Sequence, residues 1–339
     1  MKSDIPPEYT NRPSKKDDCN DFDDLPPDFS TLEHPHQPPA YFQTTPTTPG
    51  WTIVINNRFW VDGFRIFVSL DSARKFSAFK NSANPDVISL QEQGFGVPVF
   101  KAITNSVPFL SKFITFRKYT PTNLRPFDID KDYFEFCVVR RYAHVGYDTY
   151  VFEFHPDLGD KTREFTLMMF SHSQLPIHDY LYKGMKHRWV DETHGKGFRK
   201  RWNMKYGFKH TILDPAQPAL TDNWDGKSDK LDKEKKKNAY LGGYLRNMFS
   251  ASAKYAKAEY YGPLCSDTLG EEEHYFTRGF AELRVDDVAN PDPNVNYETI
   301  FSLKEDDLVS ICVATVLKRQ KDIEEQNRRA SNSGGGGSC

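Results

Sequence analysis

From residue 51 onward, hydrophobic positions come in short, closely spaced runs with polar punctuation between them. The runs fall at 51–55, 64–70, 87–91, 99–103, 112–117, 133–142, 149–155 and 163–170. Several alternate with a period of two, as in Tyr133-Phe134-Glu135-Phe136-Cys137-Val138 and Tyr150-Val151-Phe152-Glu153-Phe154. Turn residues separate them, notably Val61-Asp62-Gly63 and Asp157-Leu158-Gly159-Asp160. Many short strands with turn signals between them predict an antiparallel sandwich or barrel. After Leu175 the alternation loosens. Residues 222–237 are rich in Lys and Asp and read as a solvated loop. Residues 239–257 read as a short amphipathic helix with Tyr240, Leu241, Tyr244, Leu245, Met248 and Phe249 on its apolar side. Gly242 and Gly243 weaken that helix by about 1 kcal/mol each. Strand signals resume at 258–261 and 279–285.

The last apolar run differs from the others. Leu308-Val309-Ser310-Ile311-Cys312-Val313-Ala314-Thr315-Val316-Leu317 has no polar face beyond one Ser and one Thr. Ser302 and Glu305 read as N-cap and N3 of a capping box, and Asp306 and Asp307 place negative charge where a helix start favours it. Lys318-Arg319-Gln320-Lys321 then supplies cations toward the exit. The pattern predicts a helix that is apolar all round and therefore buried on all sides. Ten residues rise about 15 Å, too short for a bilayer but enough to thread a barrel or to pack as an ordinary core helix on a sheet; a buried strand is the further option for so β-branched a run, and the capping box favours helix.

Ahead of the strands, residues 1–48 are rich in Pro, Asp, Ser and Thr and read as a disordered leader. The domain reading is a leader at 1–48, a β domain at 49–322 with an inserted polar loop near 222–257, and a flexible tail at 323–339. A formal charge of −2 and a pI near 6.6 do not advertise nucleic-acid binding. The five cysteines, Cys19, Cys137, Cys265, Cys312 and Cys339, show no CxxC spacing, which fits a reducing compartment and gives no zinc site. The N-terminus lacks an apolar signal region, and no run approaches the ~18 residues that would span a bilayer. Together these predict a cytoplasmic protein that touches a membrane, if at all, from outside.

The leader carries a repeated motif. Pro6-Pro7-Glu8-Tyr9 and Pro38-Pro39-Ala40-Tyr41 share one pattern, and Pro26-Pro27-Asp28-Phe29 nearly repeats it. Adjacent prolines fix φ and favour polyproline II, and a tyrosine two places later fills a slot beside an aromatic groove. These stretches resemble the PPxY ligands of WW domains. The resemblance implies a WW-domain partner that binds through Pro6, Pro7, Tyr9, Pro38, Pro39 and Tyr41, such as a ubiquitin ligase of the HECT class. A segment with no core to build has no packing use for the tyrosines.

A second candidate surface mixes cations with aromatics. Lys196, Arg199, Lys200, Arg201, Lys205 and Lys209 surround Phe198, Trp202 and Tyr206. Cations near an anionic membrane contribute about 1 kcal/mol each, and Trp and Tyr favour the interface. Alternation on a strand places Arg199, Arg201 and Lys205 on one face and Trp202 on the other. Charge runs of this kind also occur as solvated faces. Catalytic patterns are absent from the sequence: no HExxH, GxSxG, Walker loop or GxGxxG occurs, and His34-Pro35-His36 lacks further ligands. The reading is a non-enzymatic protein without cofactor or metal. In the tail, Arg328-Arg329-Ala330-Ser331 resembles a basophilic-kinase site, so Ser331 is a candidate for phosphorylation.

Many short strands followed by one wholly apolar helix resemble the tubby C-terminal-like superfamily, which includes the LURP-one-related proteins and the phospholipid scramblases, and in particular its fungal relatives. The matching pieces are Val87-Ile88-Ser89-Leu90 before Gly96–Ala102, read as strand, turn and strand, and Leu220–Asn223 with Ala258–Tyr260, read as a late hairpin. Gly279–Leu283 matches the next strand, and residues 305–319 match the helix that fills the barrel. The resemblance spans roughly 50–321 and implies an antiparallel closed β-barrel around a buried C-terminal helix. It also implies phosphoinositide or other anionic phospholipid binding through Lys196, Arg199, Lys200, Arg201, Trp202, Lys205 and Lys209. The alternatives it leaves are a scramblase-like lipid-handling role and a nucleic-acid-associated regulator. The cysteine cluster and C-terminal membrane segment of scramblases are absent from the sequence, and the net charge speaks against nucleic acid.

Overall fold

The period-two alternation resolves into a mainly β architecture followed by one long C-terminal helix. The computed structural model describes residues 51–56, 63–80, 82–104, 112–191, 206–231, 253–260, 280–285 and 298–333. In chain order these form β1 (Trp51–Asn56), β2 (Phe64–Phe67), α1 (Leu70–Phe79), α2 (Pro85–Glu92), β3 (Phe100–Thr104), β4 (Lys112–Tyr119), β5 (Tyr133–His144) and β6 (Tyr147–Phe154). Then come β7 (Phe165–His172), β8 (Ile177–Tyr182), β9 (Met185–Asp191), β10 (Tyr206–Ile212), β11 (Ala253–Tyr260), β12 (Phe280–Val285) and α3 (Glu305–Ser333). All pairings are antiparallel and follow chain order from β2 to β12. β1 pairs with β2 through Val54↔Phe67 to Asn56↔Arg65, and with β12 through Trp51↔Val285 to Asn56↔Phe280.

The turns follow from local chemistry. Lys183 (φ 49°) and Gly184 (φ 76°) form the two-residue connection of β8 to β9, where positive φ at both places matches the twist of the flanking strands. Gly63 enters β2 at φ 96°, and a Cβ there would lie 2.0 Å from the Ala102 carbonyl oxygen on β3, so only glycine fits.

The core sits between the sheet and α3. Leu308, Val309 and every residue from Ile311 to Leu317 are buried, as the all-round apolar pattern requires. They pack with Ile53, Ile66, Phe100, Phe116, Phe136, Val139, Phe152, Phe154 and Met169 of the strands. Edge-on and stacked rings link neighbouring strands, as in Phe100–Phe116 (5.7 Å), Phe136–Phe154 (5.7 Å) and Phe154–Phe165 (4.7 Å).

The opposite face of β6–β9 is covered by residues 214–231. Leu220 and Leu231 pack there with Tyr147, Phe170, Ile177 and Val190. The cover is pinned by polar contacts. Arg188 Nε and Nη2 donate to the Asp179 carboxylate at 2.7 and 2.6 Å, with both side chains almost fully buried. Arg188 Nη2 also donates to the Pro218 carbonyl, and the Leu220 N–H donates to Asp179 Oδ2. Further along, Thr149 Oγ1 donates to the Asp229 carbonyl and the Leu231 N–H donates to the Tyr147 hydroxyl. The predicted solvated loop at 222–237 is therefore, as far as Leu231, a seated cover.

Several expectations are corrected. Residues 87–91 are helical within α2. Asn84 caps it by accepting from the Asp86 N–H, and Pro85 occupies the first turn. Residues 70–79 form α1, capped by Ser69. Residues 253–257 belong to strand β11 and not to a helix; the rest of the predicted 239–257 helix lies outside the described residues. Leu220–Asn223 is a 3₁₀ turn that does not pair with Ala258–Tyr260, because β11 pairs with β10 and β12. The C-terminal helix starts two residues later than its predicted cap. Ser302 ends a 3₁₀ turn, and the Lys304 N–H donates to Asp307 Oδ2, so Asp307 does the work expected of Glu305. Lys318 and Lys321 do not mark an exit, since α3 continues to Ser333.

Asp179→Asn removes the counter-charge of a buried guanidinium. Its unfolding free energy in urea is expected to fall by about 3 kcal/mol. An unchanged midpoint would show that the pair does not hold the cover.

Candidate functional site

Among the sequence-predicted lipid contacts, only Lys209 lies within the described residues. It sits half-buried on β10, between the buried Phe208 and His210. Lys196, Arg199, Lys200, Arg201, Trp202 and Lys205 lie in the β9–β10 connection, outside the described residues. The connection leaves the ladder beside the pair Asp191↔Phe208, so it adjoins Lys209 along the chain. No acidic side chain among the described residues pairs with Lys209.

The register adds two positions that sequence reading missed. Lys209 stands directly opposite Lys257 on β11, and Lys257 stands directly opposite Arg284 on β12. Three successive strands thus place three cationic residues in one row. Like charges at directly opposed positions are unfavourable. Two residues further along, Glu259 stands opposite Glu282. By register, three cationic positions thus lie beside an acidic pair. Residues this far apart in sequence meet only through strand register, which no local motif encodes.

The PPxY residues Pro6, Pro7, Tyr9, Pro38, Pro39 and Tyr41 lie outside the described residues. Ser331 lies in the last turns of α3, exposed, with its hydroxyl donating to the Arg328 carbonyl at 2.9 Å. Among the described residues no three His, Cys, Asp or Glu side chains are grouped to hold a metal ion, and no helix is long and apolar enough to cross a membrane.

Titratable groups converge instead on the seam between α3 and β8–β10. His187 Nδ1 lies 3.0 Å from His210 Nε2, and the Tyr180 hydroxyl lies 3.1 Å from the same nitrogen. The His210 ring stacks on Trp189 at 4.6 Å, and the His187 ring stacks on Tyr180 at 4.8 Å. Nearby, Ser171 Oγ lies 2.6 Å from His178 Nδ1. Burial holds His187 down at about 4, against a smaller upward pull from Asp306. Burial, with His187 as a second cause, holds His210 well below the ordinary imidazole range. Both rings are therefore neutral at pH 7, and the pair acts as one hydrogen-bonded unit.

The two ends of the buried helix segment are fixed by charge. At the start, the Tyr182 hydroxyl donates to Glu305 Oε1 and Asp306 Oδ1 at 3.1 and 3.0 Å, and Lys183 pairs with Asp306. Burial first, then Asp306, pushes the Tyr182 phenol far up. At the far end, Lys318 pairs with Asp322 at 2.8 Å, and Lys321 pairs with Asp191 of β9 at 2.6 Å. Burial pulls Lys318 below its ordinary value despite Asp322. On Lys321 burial pulls the same way, but Asp191 and Glu324 together outweigh it and hold the ammonium high. These groups anchor the helix.

The model of the family described as DIA1 matches residues 49–329, and the chain belongs to that family. No curated protein matches the chain, and no solved structure does. The matched span begins after both PPxY motifs and covers all of the strands.

The neutral imidazole pair makes stability depend on pH in a defined direction. An unfolded His protonates near 6.5, whereas His187 in the fold protonates near 4, so the unfolded chain binds more protons between those values. Stability is full above pH 6.5, falls as pH drops toward 4, and loses nothing more from this group below that. The urea midpoint at pH 5 is expected to lie below that at pH 7, and His187→Phe is expected to lessen the drop. Equal drops in the two proteins would remove His187 as the cause.

Proposed function

We propose that this member of the DIA1 family is a non-enzymatic adaptor at a membrane surface. In this reading its sheet is a tubby-like barrel closed around α3, and it binds anionic phospholipid headgroups through cations of the β9–β10 connection and the β10–β12 row. Its leader engages a WW-domain protein, such as a HECT-class ubiquitin ligase. The observation that carries the lipid half is the row Lys209–Lys257–Arg284, which adjoins the connection bearing Lys196, Arg199, Lys200, Arg201 and Lys205. Phosphate groups supply the countercharge that the row calls for, and Trp202 is suited to the headgroup level. Support for the barrel comes from β1, whose two edges pair with β2 and with β12, and from the burial of α3 against the inward faces. Support for the WW half is the duplicated motif, which stands wholly ahead of the family-matched span. An adaptor has this division: one part that docks, and a separate segment that recruits.

Charge reversal tests the lipid half. Full-length protein is expected to co-sediment with phosphatidylcholine vesicles containing phosphoinositide and to lose affinity as salt rises. Lys209→Glu with Lys200→Glu is expected to weaken retention by roughly tenfold or more, at about 1 kcal/mol per cation. Equal retention of wild type and variant, or no retention of either, overturns it.

For the WW half, the full chain is expected to bind a panel of isolated WW domains. Tyr9→Ala plus Tyr41→Ala is expected to abolish that binding, and the other tyrosines leave it untouched. Binding that survives the double substitution would remove PPxY recognition from the account.

A further inference from the structure

A separate group of cations meets across β2, β3 and β4. Arg65 on β2 stands directly opposite Lys101 on β3, and Lys101 stands directly opposite Arg117 on β4. Phe64, Ile66, Phe100, Ala102 and Phe116 belong to the core cluster, so alternation puts the three cations on the other face of the sheet. Aromatic rings flank them there. The Arg65 guanidinium carbon lies 5.3 Å from the ring centroid of Phe76 on α1, and that of Arg117 lies 4.1 Å from the ring centroid of Tyr133 on β5. Lys101, between the two arginines in register, is only 6% exposed. Its Nζ lies 3.3 Å from Asp130 Oδ1, and the Asp130 side chain is 73% exposed. Two other acids of the β4–β5 connection are engaged by cations of that connection, Asp132 by Arg125 and Asp128 by Lys131. Glu135 stands opposite Arg117 in the ladder and is exposed. Among the described residues neither Arg65 nor Arg117 has a carboxylate partner, and Arg117 Nε is buried without a hydrogen bond.

We propose that Arg65, Lys101 and Arg117 form a binding site for a phosphate monoester, the dianion carried by polyol phosphates and by the headgroup of phosphatidic acid. Directly opposed like charges are unfavourable, and a buried ammonium or guanidinium nitrogen without a full set of partners costs more again. Packing does not require them: beside Arg65, Phe67 meets α1 through an apolar cluster with Val54 and Ala73. A dianion removes both costs at once. The ring contacts hold the faces of the two guanidinium planes and leave their N–H edges for hydrogen bonding, a geometry that matches phosphate oxygens. Lys101 supplies a third donor as a point charge. The ammonium is reachable, because a mostly solvent-facing carboxylate, that of Asp130, already touches it. Asp130 therefore occupies the site in the ligand-free protein and is displaced when the phosphate enters; its own hydration makes it a weak competitor. This site lies on β2–β4 and does not rest on the lipid reading of the β10–β12 row.

The test titrates the full chain by calorimetry with glycerol phosphate, and separately measures co-sedimentation with phosphatidylcholine vesicles containing phosphatidic acid. The two probes present the same phosphate monoester, free in one case and at a lipid surface in the other. Lys101→Met keeps the stem of the side chain and is expected to weaken binding by roughly tenfold or more. Asp130→Asn, at an exposed position that leaves the fold intact, is expected to tighten it by about twofold to fivefold. Lys80→Gln removes an exposed cation at the end of α1 and is expected to leave affinity within about twofold. These changes seen with glycerol phosphate assign the site to a soluble ligand; seen only with vesicles, they assign it to a lipid headgroup. Binding of neither probe overturns the proposal, as does binding that Lys101→Met leaves intact. Equal weakening in Lys80→Gln and Lys101→Met overturns it too, since the attraction is then one of general charge. So does Asp130→Asn without a gain, because no carboxylate then competes for the site.

Discussion

A helix with no polar side cannot lie on a surface, and that constraint organises this chain. The segment from Leu308 to Leu317 presents side chains in every direction around its axis. Each buried Leu, Ile or Val contributes about 1.5–3 kcal/mol only when the opposite wall is also protein. One sheet face covers half of such a helix, and in the proposed barrel the strands come round it. The inward residues of β1 to β10 are consistent with that demand: they meet the helix in one continuous cluster rather than in separate patches. The strand order follows, because antiparallel neighbours joined by short turns are the simplest way to lay a long sheet around one axis.

Apolar packing alone leaves such a helix free to slide along its axis. The charged contacts remove that freedom. Glu305 and Asp306 are held by Tyr182 and Lys183 at the β8–β9 turn, and Lys321 is held by Asp191 at the far end of β9. One strand hairpin thus grips both ends of the buried segment. The same strands carry the polar part of the interior. β8, β9 and β10 supply Tyr180, His187, Trp189 and His210, where β3 to β6 supply phenylalanines. A hydrogen-bonded imidazole pair between aromatic rings has a narrow set of satisfactory geometries, whereas apolar rings tolerate many. The mixed side of the core thereby fixes the register that the apolar side leaves open, at the cost of sensitivity to acid.

The same division decides what was legible in the sequence. Strands β5 and β6 announced themselves because one face is aromatic and the other polar, as in Phe134, Phe136, Glu135 and Glu153. Helix α3 was legible from its apolar run, although its cap was misplaced by two residues because Ser302 closes a 3₁₀ turn instead. Strands β8 and β9 gave no alternation, since both faces are polar: His178 and His187 point to the helix, and Asp179 and Arg188 point to the cover. Residues 87–91 misled for the opposite reason. Val87 and Ile88 favour strand locally, but Asn84, Pro85 and Asp86 fix a helix start that outweighs them. In the candidate site, the run from Lys196 to Lys209 was visible as composition, while Lys257 and Arg284 join it only through the ladders of β10, β11 and β12.

A sheet packed against its own helix has little interior to lend to a ligand. Side chains from α3 fill the space that a hollow sheet of this kind would offer a small molecule, down to fully buried Cys312, Val313 and Leu317. In the proposed reading, recognition falls to the outward faces and to the connections, where charge rather than enclosure does the selecting. Enclosure is what general acid–base and nucleophilic catalysis need, to exclude water and hold a reacting group in place. A row of cations at matched register positions, as the proposed reading has it, gains from a partner that brings many phosphates at once, because weak contacts add only when they are engaged together. A membrane surface offers that repetition and a free phosphate does not, and the proposed docking role rests on that difference.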